Sequence, residues 1–150
     1  MNLVQANFAI WKSDLLPSHF QDFLVHAEKI MTLAGTHPGL IWQNPAKFVE
    51  DEDVIRIFGE RRMILNMSVW DSYASLKDFV YRHAHGAAMR ERHHWFESPA
   101  REITYVLWWV HPGHQPTLLE AKEKLELLKS IGPSAQAFDF SQPYDWQQQA

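Results

Sequence analysis

The stretch ITYVLWWV, residues 103–110, decides the fold because it is the most strand-like segment of the chain. Side chains alternate along a strand, and here both alternating sets are apolar. A strand that is apolar on both sides needs cover on both sides. Because helices are expected to supply only one layer in a chain of 150 residues, we predict that a second copy covers the other side. The two copies would pack sheet on sheet as a homodimer, with Trp108 and Trp109 on opposite faces of the strand.

The segments around this strand alternate between strand and helix patterns. Predicted strands cover Leu3–Ile10, Gly39–Gln43, Val54–Phe58 and Met63–Trp70, with a possible short strand at Ala137–Phe140. Predicted helices begin at the capping box of Ser18 and Gln21, after Asp71 or Ser72, and at the capping box of Thr117 and Glu120. This order predicts an α+β fold, a ferredoxin-like β-α-β-β-α-β antiparallel sheet with an extra C-terminal helix. One domain would span residues 1–140, and residues 141–150 would form a tail that is loose or lies on a neighbouring subunit.

Composition excludes several classes of protein. The net charge of −4 argues against nucleic acid as a partner, and the lack of cysteine excludes disulfides and zinc–thiolate sites. No apolar run is long enough to span a membrane, and no export signal is recognised at the start of the sequence. We therefore expect a cytoplasmic protein. Seven Trp, nine Phe and four Tyr suggest a rich core, a pocket or a subunit interface.

Reactive side chains are concentrated in residues 81–96, YRHAHGAAMRERHHWF. On a helix, His85 and Arg92 fall on one otherwise apolar face, about 10 Å apart along the axis. An imidazole and a guanidinium in such a stripe need partners, so a ligand of modest size could contact both. The alternative is that His85 is a satisfied core histidine and that Arg92 pairs with a carbonyl or a carboxylate.

A metal site is not predicted. His83 and His85 point about 200° apart on a helix, and no HExxH spacing occurs. Haem needs a single axial histidine and stays open.

Three strings resemble a bacterial family of unknown function in the dimeric α+β-barrel superfamily, near the antibiotic-biosynthesis monooxygenases. They are LNMSVWDSYASLKDFVYRHAHGAAMRERHHWFE at 65–97, YVLWWVHPGHQPTLLEAKEKLELLKSIGP at 105–133 and AFDF at 137–140. The most specific part is WVHPGHQPT, residues 109–117. The resemblance covers nearly the whole chain and implies the barrel fold and a homodimer.

The resemblance also implies a candidate site, by analogy of fold. Cofactor-independent monooxygenases of that superfamily oxidise quinol-like aromatics between sheet and helices. Here His85 would be the general base or hydrogen-bond donor and Arg92 would stabilise the resulting anion. The predicted binding residues are Asn7, Trp42, Asn66, Ser68, Trp70, Tyr81 and Met89. No cofactor is the first expectation and haem the second. The alternative function is a non-catalytic binding protein for a small hydrophobic ligand or haem.

Overall fold

A computed structural model describes residues 1–11, 17–44, 51–83 and 105–149 of the chain. The strands are β1 (Asn2–Ile10), β2 (Leu40–Gln43), β3 (Met63–Trp70) and β4 (Tyr105–Val110). The helices are α1 (Pro17–Gly35), α2 (Glu52–Phe58), α3 (Tyr73–His83), α4 (Leu118–Ile131) and a short 3₁₀ helix (Trp146–Gln149). The strands form one antiparallel sheet in the order β2-β3-β1-β4. This is the predicted ferredoxin-like α+β fold.

Strand β1 lies at the centre of the sheet and sets its register. It pairs with β3 from Leu3 opposite Trp70 to Ile10 opposite Met63, and Asn7 lies opposite Tyr105 of β4. Because successive side chains point to opposite sides, the sheet has two distinct faces. We call them the α4 face and the α1/α3 face, after the helices that cover them.

The α4 face is apolar and is covered by helices of the same chain. Its buried strand residues pack against α4 and against Phe58 of α2; they are Val4, Ala6, Phe8, Leu65, Met67, Val69, Val106, Trp108 and Val110. Trp108 is 1% exposed. The expectation that helices supply only one layer is therefore wrong, because α4 and α2 form a second one. Trp108 belongs to the core of its own chain.

The α1/α3 face carries the second core. Its buried members are Leu3, Ala34, Trp70, Leu76, Phe79, Leu107 and Phe138. Trp109 also lies on this side, and its indole Nε1 donates to the carbonyl oxygen of Tyr144 at 2.8 Å. The segment after residue 140 was expected to be loose or to lie on a neighbour, but Tyr144 packs on its own chain. Both tryptophans of the pair are thus used within one subunit.

The segment Val54–Phe58 is part of a helix, so its prediction as a strand is wrong. Asp51 caps the helix, because its Oδ1 accepts hydrogen bonds from the backbone N–H groups of Asp53 and Val54. Gly59 ends the helix with φ of 72°, a left-handed conformation that glycine adopts without strain. Val54 and Phe58 are four residues apart and therefore share one face. The helical spacing of the apolar side chains and the two caps together favour a helix, despite the β-branched residues in the segment.

Two further helices, α3 and α4, begin where their predicted capping residues placed them, whereas α1 begins at Pro17, one residue before the predicted cap Ser18. Ser72 Oγ accepts from the N–H of Ser75, and Thr117 Oγ1 accepts from the N–H of Glu120. The possible strand at Ala137–Phe140 is reduced to an isolated bridge. There Leu107 and Phe138 exchange two backbone hydrogen bonds of 2.9 Å at the outer edge of β4. None of the helices described here has the length and apolar character needed to cross a membrane.

Candidate functional site

A row of polar side chains crosses the middle of the α1/α3 face. Asn7 of β1 lies directly opposite Asn66 of β3 on one side and Tyr105 of β4 on the other. Residues opposite each other in a sheet project from the same face. Asn7 is exposed, and Asn66 and Tyr105 are half-buried. The structure therefore brings together two of the predicted binding residues and adds Tyr105, which the sequence analysis did not select.

The two amides of this row are available to a ligand. Within the described ranges, the side chains of Asn7 and Asn66 make no hydrogen bond, and no buried side-chain polar atom lacks a partner. Each amide offers two N–H donors and one carbonyl acceptor. The pair can therefore hold an oxygen atom of a bound molecule from two neighbouring strands.

Tyr105 is anchored at the end of the row. Its hydroxyl accepts a hydrogen bond of 3.2 Å from the N–H of Phe140, and the two rings lie 5.3 Å apart. Burial is the main cause that raises the pKa of Tyr105, and Asp139 and Tyr81 raise it further. Tyr81 lies on α3, with 56% of its surface exposed.

Ser68 and Trp70 lie on the same face, but their polar atoms are hydrogen-bonded to each other. Trp70 Nε1 donates to Ser68 Oγ at 2.8 Å, and Ser68 Oγ in turn donates to Gln5 Oε1 at 3.0 Å. Trp70 is 1% exposed, and its ring lies 5.2 Å from that of Phe79. These two residues follow Asn66 along β3, and Trp70 has almost no surface open to a ligand.

Trp42 lies on the opposite face. Its β2 position pairs with Val69, and its side chain packs on the core beneath α4. A β-bulge between Leu40 and Trp42 separates the two, and Leu40 packs on the α1/α3 side. Trp42 is therefore not brought together with Asn7 and Asn66.

His85, Met89 and Arg92 lie outside the described residues. The described part of α3 extends to His83, and the description resumes at Tyr105 of β4, the residue opposite Asn7. Their roles stay predictions. Elsewhere, across the described ranges, no group of three or more His, Asp or Glu side chains could hold a metal ion.

A histidine–aspartate pair on the same face was missed by the sequence analysis. His37 Nε2 lies 3.0 Å from Asp78 Oδ2, and His37 Nδ1 accepts from the N–H of Gly39 at 3.0 Å. Because Nδ1 accepts, Nε2 carries the proton and donates to the carboxylate. The hydrogen bond from His37 is the main cause that lowers the pKa of Asp78, with Arg82 adding to it. Both ring nitrogens are used, so the pair ties the α1–β2 turn to α3.

The carboxylate of Glu120 holds one end of β4 and the loop that follows it, residues 111–117. Glu120 Oε2 accepts from Trp108 Nε1 at 2.7 Å, and Glu120 Oε1 lies 2.7 Å from His114 Nε2. In a capping box this glutamate would turn back to the N–H of Thr117. Here it instead connects the indole of β4 to the loop before α4. These residues secure the helix over the α4 face.

Solved structures with the same fold include oxygenases. A putative antibiotic biosynthesis monooxygenase from Nitrosomonas europaea superposes with a TM-score of 0.55 and 10% identity, covering 76% of this chain and 94% of that chain. NE2512, a protein of unknown function from the same organism, gives 0.53 and 14%, covering 77% and 95%. A mutant of SnoaB, a cofactor-independent oxygenase from Streptomyces nogalater, gives 0.50 and 9%, covering 77% and 98%. At these identities the likeness establishes the fold alone.

The sequence comparisons identify the family. No curated protein shows significant similarity to the chain. One family profile matches residues 2–150, which is nearly the whole sequence. The match agrees with the resemblance carried by residues 65–97 and 105–133. The chain belongs to the family described as Domain of unknown function (DUF3291).

Proposed function

We propose that the protein is a monooxygenase-type oxidoreductase that oxidises a small aromatic substrate on the α1/α3 face. The observation that carries the proposal is the opposed pair of Asn7 and Asn66, whose amides are unengaged within the described ranges. The similar folds of the oxygenases reported above support the reaction class by analogy.

The two amides suit an oxidation that begins from an anion. Loss of a proton from a phenol or an anthrone places negative charge on its oxygen. Amide N–H groups aimed at that oxygen stabilise the charge as it develops. The anion then gives electrons to O2, so that the substrate itself is the reductant.

We assign the proton transfer to His85 and the stabilisation of the anion to Arg92, as the sequence predicts. Neither residue lies in the described ranges, and the assignment rests on their shared helical face. Tyr105 and Tyr81 would contact the rings of the substrate, because Tyr105 lies in the row and both side chains are partly exposed.

The direct test is oxygen uptake with 1,8-dihydroxyanthrone as the probe. Oxidation of its ring CH2 to a carbonyl consumes one O2 and releases one water. We expect the wild type to accelerate uptake above the spontaneous rate. Because removing one donor to an oxyanion costs roughly 10²–10³ in rate, Asn7→Ala and Asn66→Ala should each lose most of the acceleration.

Asn2→Ala is the matched control, because Asn2 is on the same strand but projects from the α4 face. It should leave the rate unchanged. Wild-type rates in both Asn7→Ala and Asn66→Ala would overturn the role of the row, and no acceleration by the wild type would overturn the reaction.

His85→Ala separates a catalytic from a structural histidine. We expect normal thermal unfolding together with loss of oxygen uptake. Unfolding of this variant would instead favour the core-histidine alternative. A Soret band that forms on adding haem and is lost in His85→Ala, with no oxygen uptake by the wild type, would favour the non-catalytic binding protein.

We also propose a homodimer, at a different surface from the one first predicted. Both faces of the sheet are covered within one chain, whereas β2 is an outermost strand and its Ile41 is 51% exposed. An edge strand offers unpaired backbone groups to a second chain. Sedimentation should give twice the 17.6 kDa mass of the chain. Ile41→Lys should shift the protein to a monomer and Leu119→Lys should not; a monomeric wild type would refute the dimer.

A further inference from the structure

A second pair of polar side chains lies next to the Asn7–Asn66 row on the α1/α3 face. Gln5 of β1 lies opposite Ser68 of β3, two residues along each strand from the row. Residues two apart in a strand project from the same face, so about 7 Å separates the two pairs. Gln5 is half-buried, and it was not selected from the sequence. The four side chains form one group, which we call the polar block, in a largely apolar face.

Gln5 is the end of a chain of hydrogen bonds that begins in the core. Trp70 Nε1 donates to Ser68 Oγ at 2.8 Å, and Ser68 Oγ donates to Gln5 Oε1 at 3.0 Å. Because an indole N–H can only donate, the Ser68 oxygen accepts from it and gives its single hydrogen to Gln5. Trp70 is 1% exposed, and a buried N–H without an acceptor is costly. The chain therefore fixes the Gln5 amide with its oxygen on Ser68.

The group of Gln5 that is left for a ligand is its amide nitrogen. Within the described ranges, Gln5 Nε2 makes no hydrogen bond. This nitrogen carries two hydrogens and does not accept. The unengaged amides of Asn7 and Asn66 differ, because each can turn over to present either its N–H groups or its carbonyl oxygen. Gln5 therefore presents only donors to a molecule bound at the polar block.

We propose that Gln5 is a specificity-determining residue that selects aromatic ligands with an acceptor oxygen, such as a carbonyl, carboxylate or phenolate oxygen, at the polar block. A ligand N–H or ammonium group at this point would face another donor, and both groups would lose hydrogen bonds to water without replacement. A charged acceptor gains most, because hydrogen bonds to ionised groups are about twice as strong as neutral ones. The inference rests on the proposed function, since it adds a third amide to the site that would hold the substrate anion.

Binding of 1-naphthoate, compared with that of 1-naphthylmethylammonium, tests the proposal without any oxidation. On the same ring system, the first ligand presents only acceptors and the second only donors. We expect saturable binding of naphthoate to the wild type in calorimetry, and binding of the ammonium that is weaker by about tenfold.

Gln5→Glu reverses the character of the side chain at almost constant shape. It keeps an oxygen for Ser68 and replaces the nitrogen by a second oxygen, so naphthoate should bind about tenfold more weakly. Gln5→Met removes the donors without adding charge and should weaken naphthoate binding by a smaller factor. Asn2→Asp is the matched control, because it makes the same change of charge on β1 opposite Val110, on the α4 face. It should leave the affinity unchanged.

Trp70→Phe tests the orientation of Gln5. It removes the N–H that directs the Ser68 hydroxyl, so the Gln5 amide can turn over. The preference for naphthoate over the ammonium should then shrink, whereas a merely structural effect would weaken both ligands equally. Ser68→Thr keeps the hydroxyl and should keep the preference. Thermal unfolding shows which variants are folded, and Gln5→Glu alone decides the proposal if Trp70→Phe does not fold.

The outcomes separate this proposal from the oxidation. Oxygen uptake by the wild type, together with unchanged naphthoate affinity in folded Gln5→Glu and Gln5→Met, would overturn the role of Gln5 and leave the reaction in place. Binding of naphthoate that depends on Gln5, in a wild type that takes up no oxygen, would support the role of Gln5 and overturn the reaction. No saturable binding of naphthoate, or an equal loss in Asn2→Asp, would overturn the role of Gln5.

Discussion

The two faces of one sheet are built for different purposes. On the α4 face, the strands and helices interlock as a closed core, and the buried indole of Trp108 is satisfied by Glu120. The α1/α3 face is also largely apolar, but Asn7 and Asn66 interrupt it across the middle, and their amides make no hydrogen bond within the described ranges. Alternating apolar residues therefore indicate that a face is covered. They do not tell whether the cover leaves polar groups unpaired, and unpaired polar groups are what a ligand can use.

The largest loss of stability is expected from truncating a buried side chain on the α4 face. Trp108→Ala removes a fully buried indole and its hydrogen bond to Glu120 Oε2, so it should lower the free energy of unfolding by about 3–5 kcal/mol. Trp109 is only half-buried, and Trp109→Ala should cost less. Urea unfolding measures both. Trp108→Phe keeps a ring and loses the N–H, so it should fall between Trp108→Ala and wild type. Equal costs for Trp108→Ala and Trp109→Ala would contradict the difference between the faces.

A smaller loss is expected where the chain packs tightly at the base of α3. A Cβ on Gly39 would overlap Ser75 and would lie 2.9 Å from Asp71 Oδ1. Gly39→Ala should therefore destabilise by about 1–3 kcal/mol, as overpacking does. Gly35→Ala is the control, because its Cβ would meet only Gln43 Nε2 at 3.7 Å. Thermal unfolding compares the two variants, and Ser75→Gly should partly restore Gly39→Ala. A neutral Gly39→Ala would show that the turn moves freely against α3.

The fold was predictable because its decisive features are local. The apolar alternation of residues 103–110 and the caps at Ser72 and Thr117 are visible in the sequence. Residues 105–110 form the expected strand, and the two caps precede α3 and α4 as expected. The error at Val54–Phe58 came from composition: Val and Ile favour strands, whereas Asp51 and Gly59 define a helix by their caps. The helical layer formed by α2 and α4 was missed for two reasons. The segment of α2 was predicted as a strand, and α4 was not assigned to either face of the sheet.

The candidate site was only partly predictable because it depends on register. Asn7 and Asn66 are far apart in the sequence, and only the pairing of β1 with β3 makes them neighbours. Trp42 was selected for its ring, but β2 has a bulge between Leu40 and Trp42, and the side chain of Trp42 lies on the α4 face. Ser68 and Trp70 were selected correctly by face, yet they bond to each other. No local pattern announces such a pairing, which also explains why His37 and Asp78 were missed.

The smallest effect is expected from the hydrogen bond between His37 and Asp78, which links the α1–β2 turn to α3, and it should depend on pH. The hydrogen bond from His37, helped by Arg82, lowers the pKa of Asp78 below its usual value of 3.8. A lowered pKa in the folded state means that the unfolded chain binds the proton more readily. The contribution of Asp78 is thus fully present above that usual pKa and is lost as the pH falls through the lowered one.

Asp78→Asn should therefore lower stability slightly at pH 7, where the contribution is present, and reduce the fall in stability below pH 4. Asp53→Asn, which removes the exposed ion pair with Arg56, is the control. In this variant, stability should fall below pH 4 as steeply as in the wild type. Unfolding midpoints at pH 7 and in steps below pH 4 measure the effect. An equally steep fall in stability below pH 4 in Asp78→Asn and the wild type would show that the contact between His37 and Asp78 makes no pH-dependent contribution to stability.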